Sequence, residues 1–166
     1  HQVFILLSQS GETIDVVEAV NLAKKKKLTI IGLTNILGST LYRLSDYQIL
    51  LQAGQEVAVA STKAFTAKLA ILIQLTCLLQ NKLKLGQQLV SQSAQAVTDI
   101  LQSVVRREIK ALATRIKDKD HIFVVGRSLS YPIALETALK IKEVSYIHAE
   151  AYAGGELKHG PIALID

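Results

Sequence analysis

VFILLSQSGETIDVVEAV, residues 3–20, is the stretch on which the fold turns. Its first five residues are continuously apolar and include the β-branched Val3 and Ile5, the composition of a strand covered on both faces. The polar SQSGET of residues 8–13 interrupts that run, after which Ile14, Val17, Ala19 and Leu22 recur at helical spacing. Strand, polar loop and helix therefore follow one another within 20 residues.

The same alternation extends outward. Residues 28–33 (LTIIGL) repeat the buried-strand signature, residues 35–39 (NILGS) make a turn, and residues 47–51 (YQILL) make a third strand. A long apolar helix is expected over 61–79 and a more amphipathic one over 86–116, ending at the polar KDKD of residues 117–120. HIFVV at 121–125 then opens a second unit, with a Gly126-Arg127-Ser128 turn and a helix over 131–147 that carries Pro132 in its first turn, where a missing N–H costs little. Residues 162–166 (IALID) read as another strand-like run. Helices between apolar strands imply an α/β fold, a parallel sheet sandwiched by helices in a flavodoxin- or Rossmann-like three-layer arrangement. The expected division is 1–80, a helical connection at 81–117, and 118–166. The chain contains no Met and its apolar runs lie close to both termini, so both ends are expected to be internal to a longer protein.

Composition excludes several classes. Cys77 is the lone cysteine and sits in an apolar stretch, so no intramolecular disulfide forms and a reducing, cytoplasmic setting is expected. The longest apolar stretch, residues 67–79, is shorter than the roughly 20 residues of a membrane span, and no signal-peptide pattern is present. The net charge of +5 includes Lys24, Lys25, Lys26 and Lys27 at a helix end, where they complement the helix dipole. No aromatic residues alternate with the basic ones, so a small anion is expected rather than nucleic acid.

Three clusters can carry chemistry. Ser8, Gln9, Ser10 and Thr13 lie between a strand end and a helix start, where free N–H groups and the helix dipole favour a phosphate; a helix N-cap accounts for the same hydroxyls without a ligand. Walker and dinucleotide glycine patterns are absent, which favours a sugar phosphate over a nucleotide. Val59 and Ser61 precede a second helix, where Ser61 either caps it or meets a ligand, and Lys63 opposes the dipole. Glu136, Lys140 and Glu143 fall within about 60° of one another on a helix, either as a solvated ion-pair stripe or as a carboxylate held for proton transfer. His159, beside Gly160-Pro161, is an acid–base candidate or a plain loop histidine.

SQSGET at Ser8, VASTKAF at Val59, YPIALE at Tyr131, LKIKEVSYIHAEAYAGGELKHGP at Leu139 and the final ALID, taken in order, resemble the glucosamine-6-phosphate synthase family, the isomerising glutamine–fructose-6-phosphate aminotransferases. Between about residues 81 and 120 the match is in helical character only. The resemblance implies tandem sugar isomerase (SIS) lobes, most of the first and the start of the second being present here, with residues of both used in catalysis. It implies that Ser8, Gln9, Ser10 and Thr13 bind the substrate phosphate and that Val59 and Ser61 contact the sugar. Glu143 would carry the proton between C1 and C2, with Lys140 beside it. His159 would assist ring opening across a homodimer interface. It implies no metal and no organic cofactor. The ammonia would come from a glutaminase domain that nothing here resembles. A Schiff-base lysine beyond Asp166, and a strand and a serine before His1, would lie outside residues 1–166, leaving the isolated chain inactive. Ser128 stands where relatives commonly carry glycine. The competing readings are a non-catalytic sugar-phosphate-binding regulatory module, which needs the phosphate loop but not Glu143 and His159, and a purely structural dimerisation piece.

Overall fold

The computed structural model describes residues 2–102 and 104–165. The chain divides into two compact units, His1–Gln95 and Ala96–Asp166. The first begins with β1 (Val3–Ser8), α1 (Ile14–Lys25), β2 (Thr29–Thr34), α2 (Thr40–Leu44) and β3 (Tyr47–Leu50), and continues with α3 (Lys63–Leu79) and the start of α4 (Leu83–Gln102). Its strands form a parallel sheet in the order β1-β2-β3, with Leu6 level with Gly32 and Leu33 level with Ile49.

Period-two alternation along β2 sends side chains to two separate cores. Ile30 packs with Leu6 of β1, Val20 and Ala23 of α1 and Leu41 of α2. Ile31 and Leu33 point the other way, into a cluster with Leu7, Ile49, Leu51 and the α3 residues Ala64, Ala67, Ile71 and Leu72. Helices thus cover both faces, the three-layer arrangement expected from the unbroken apolar strands. Ile30 and Leu33 are fully buried, which contributes about 1.5–3 kcal/mol each. The face of α1 differs from expectation. Val20 and Ala23 are buried, with Val16 and Ala19 packed beside them, whereas Ile14 and Leu22 are exposed. The stripe at 16, 19, 20 and 23 is the helix face that meets Leu6 and Ile30. Lys24 and Lys25 end α1 as expected, and Lys27 turns the chain with φ 55°.

The amphipathic helical region expected at 86–116 is occupied by α4 and by α5 (Val104–Ile116), and α4 starts earlier, at Leu83. Gly86 is where α4 crosses α3, because an added Cβ would stand 2.9 Å from Cys77 Cβ and 3.2 Å from Gln74 Cα. Cys77 is half-buried against it.

In the second unit β4 (His121–Gly126) and β5 (His148–Ala153) pair in parallel, with α6 (Ser130–Ser145) packed on both. β5 was not anticipated. The strand-like IALID is corrected: Pro161–Leu164 form a 3₁₀ turn, since Pro161 has no N–H to give a ladder, and Asp166 lies outside the described residues. Ser128 adopts φ 53°, the left-handed region a glycine enters freely. Gly126 is required for space: a Cβ there would lie 2.2 Å from the Ser130 carbonyl oxygen and 2.7 Å from Tyr131 Cα, both backbone atoms. Gly126→Ala is therefore expected to destabilise the second unit by about 1–3 kcal/mol through overpacking; an unchanged denaturant midpoint would refute this.

Candidate functional site

Ser8 ends β1 almost fully buried, and the loop to α1 folds around it. Its Oγ accepts from Gly11 N at 2.9 Å and lies 3.1 Å from Thr13 Oγ1. Ser10 Oγ accepts from Glu12 N at 3.2 Å. The loop is fastened to its neighbour from both sides. Gln9 carbonyl accepts from Asn35 N at 3.1 Å, Gly11 carbonyl accepts from Leu41 N at 2.9 Å, and Glu12 Oε1 accepts from Thr40 N at 2.8 Å. The hydrogen bonds from Thr40 lower the pKa of Glu12, so this exposed carboxylate remains an acceptor.

Thr13 occupies the N-cap position of α1 with extended backbone, yet its hydroxyl makes no capping bond and turns toward Ser8 instead. The N–H groups of the first turn are thus left without the usual side-chain acceptor, beside the hydroxyls of Ser8 and Thr13. A side-chain cap from Thr13 therefore does not account for this loop.

In the 59–61 segment the capping expectation for Ser61 is corrected. Thr62, not Ser61, precedes α3, and it makes no side-chain cap. Glu56 Oε1 takes that role, accepting from Ala64 N at 3.0 Å. Ser61 Oγ is buried and has no hydrogen-bond partner among the described residues, leaving a group that a ligand hydroxyl could satisfy. Val59 is 91% exposed. Lys63 Nζ donates to the Gln55 carbonyl, which anchors it in the adjoining loop. Asn35 secures the same loop, giving Nδ2 to Gly54 carbonyl at 2.7 Å and taking Ala53 N on Oδ1 at 3.0 Å. Neither Glu56 nor Asn35 was singled out from sequence; Glu56 caps a residue eight positions on, beyond any local capping spacing.

In the second unit Lys140 Nζ sits 2.5 Å from Glu143 Oε2 and 3.5 Å from Glu136 Oε1, all three side chains being 21–25% exposed. They are half-buried rather than a solvated stripe. Burial alone would lower the Lys140 pKa, but the bond to Glu143 and the charges of both carboxylates outweigh it and raise it. The ammonium therefore stays charged and holds the Glu143 carboxylate in place. His159 lies in the turns after β5, exposed, its backbone N donating to Glu156 carbonyl at 3.0 Å. The structure does not join its ring to the Lys140–Glu143 pair.

A parallel sheet with helices on both faces, whose first strand runs into a hydroxyl-lined helix N-terminus, defines an α/β sandwich domain. The chain belongs to the SIS domain family, whose model matches residues 1–78 and 115–166. Among its relatives, the glutamine–fructose-6-phosphate aminotransferase (isomerizing) of Vibrio cholerae is 44% identical across 100% of this chain, and the one of Thermotoga maritima is 44% identical across 99%. The chain spans 28% of the length of either relative. A solved C-terminal domain of glucosamine-fructose-6-phosphate aminotransferase from Francisella tularensis superposes with a TM-score of 0.81 and 42% identity, covering 99% of this chain and 48% of that one. Among the described residues no helix is long and apolar enough to cross a membrane.

Proposed function

We propose that this chain is the sugar-phosphate isomerase part of a glutamine–fructose-6-phosphate aminotransferase, converting fructose 6-phosphate and ammonia into glucosamine 6-phosphate. The observation that carries the reading is the 2.5 Å contact between Lys140 and Glu143, which gives a proton carrier one position and a fixed counter-charge.

Ser8, Gln9, Ser10 and Thr13, with the first-turn N–H groups of α1, hold the substrate phosphate. Val59 and Ser61 meet the sugar, the orphaned Ser61 Oγ being the group with most to gain. His159 transfers the proton that opens the ring, acting from the other subunit of a homodimer, in keeping with its exposed place. Ammonia adds to C2 and water leaves as the imine forms. Glu143 then takes a proton from C1 and returns it to C2, while the imine nitrogen gains a proton and O1 loses one, leaving the C2 amine and the C1 aldehyde. The ammonia derives from glutamine, hydrolysed by a domain elsewhere in a cytoplasmic parent protein. Residues 1–80 form most of one lobe, 81–117 a helical connection and 118–166 the start of another. No cofactor, nucleic acid or membrane enters this scheme. A regulatory sensor would need the β1–α1 loop alone and has no use for the clamped Glu143.

Calorimetric titration tests the phosphate assignment: fructose 6-phosphate and glucosamine 6-phosphate are expected to bind and unphosphorylated fructose is not. Fructose binding as well as its phosphate would sink the reading.

A further inference from the structure

The strand pair of the second unit begins with two facing histidines. His121 and His148 are register partners at the first positions of β4 and β5. Their Nδ1 atoms lie 3.0 Å apart and the rings are nearly perpendicular, with centroids 5.0 Å apart. Residues 148, 150 and 152 share one face of β5 through its period of two. Glu150 Oε1 stands 3.6 Å from His148 Nε2, the nitrogen turned away from His121. The Tyr152 hydroxyl donates to the other oxygen of Glu150. That bond raises the Tyr152 pKa, so the hydroxyl remains a donor. His148 and Glu150 side chains are 51% and 45% exposed, open to an ion from solvent.

We propose that His121 and His148 form a two-histidine site for a late first-row divalent metal ion, Zn²⁺ in the first instance. Two nitrogens bound to one tetrahedral Zn²⁺ at about 2.0–2.1 Å stand about 3.3 Å apart, so a shift of a few tenths of an ångström converts the present pair into ligands. The ion takes the place of the contact between the two ring nitrogens. Imidazole nitrogen is the ligand type that selects zinc, copper or nickel over magnesium or calcium. Metal-bound histidines commonly give their other N–H to a carboxylate that is itself hydrogen-bonded; here Glu150, which accepts from Tyr152, stands 3.6 Å from His148 Nε2, close enough for a small shift to complete that bond. Among the described residues no third His, Cys, Asp or Glu completes the set, so water fills the remaining positions. The site lies where β4 and β5 begin, at the opposite end of these strands from the Gly126-Arg127-Ser128 turn.

The test is calorimetric titration with zinc chloride, with His1 replaced by Gln throughout so that its imidazole cannot contribute. One Zn²⁺ per chain is expected, lost in His121→Ala and in His148→Ala, retained in His159→Ala, and weakened about 10–100-fold in Glu150→Gln. No binding by the chain with both histidines intact, or stoichiometric binding that survives both alanine variants, overturns the proposal. A second measurement avoids any effect of those variants on folding: zinc is expected to shield His121 and His148, but not His159, from carbethoxylation read by mass spectrometry. Equal labelling with and without zinc also overturns it.

Discussion

Replacing Glu143 by Gln in a full-length enzyme that carries this chain lowers turnover by about 10²–10⁴-fold, the range over which a positioned acid–base group acts. Gln preserves the shape of the side chain and its ability to accept a hydrogen bond from Lys140, which also keeps Glu136 at 3.5 Å. What it removes is a carboxylate able to take up a proton, the role proposed for Glu143 at C1. Fructose 6-phosphate affinity should change little, because the phosphate is assigned to the β1–α1 loop. The measurement is steady-state formation of glucosamine 6-phosphate with substrate affinity determined alongside; near-normal turnover would remove Glu143 from the reaction. A loss confined to affinity would transfer it from proton transfer to binding.

Gly11→Ala is the second large effect, acting on both stability and ligand affinity. Gly11 has φ +70°, and a Cβ there would lie 2.1 Å from Ser39 Oγ and 2.8 Å from Thr34 Oγ1. Ser39 cannot simply turn aside, since it is buried and its Oγ accepts from Tyr42 N as the cap of α2. Left-handed backbone costs an L-residue about 1–2 kcal/mol and overpacking about 1–3 kcal/mol more. Relief requires the loop to shift, at the expense of the bonds from Gly11 N to Ser8 and from Leu41 N to Gly11 carbonyl. Thermal unfolding should start lower, and fructose 6-phosphate affinity should fall by an order of magnitude or more as the cradle opens. A variant with unchanged melting and binding would show that the loop's shape is not what holds the phosphate.

Much of this architecture was legible along the chain. β1, β2, β3 and β4 each coincide with a short apolar run between polar turns, because a strand covered on both faces must be apolar at consecutive positions. The SQSGET loop stood out by interrupting such a run immediately before helical periodicity. β5 escaped notice because HAEAYA, residues 148–153, is rich in Ala and Glu, poor strand formers, and adopts its form through pairing with β4. α2 is five residues long, too short to leave a periodic trace. At α1 spacing identified a helix, but only the position of Leu6 and Ile30 selected Val20 and Ala23, rather than Ile14 and Leu22, as its buried side.

Hydrophobic pattern by itself determined which segments are strands and helices, that the sheet is parallel and covered on both faces, and which hydroxyls gather at the end of β1. Those properties depend on neighbours a few residues apart. The tertiary structure decided that Thr13 turns to Ser8 instead of capping α1, that Glu56 caps α3 and leaves Ser61 Oγ without a partner, and that Lys140 and Glu143 are half-buried rather than solvated. It also brought His121 against His148 across 27 residues. Each of these depends on which groups lose water and which acceptor is nearest once distant segments pack, and no local spacing carries that information.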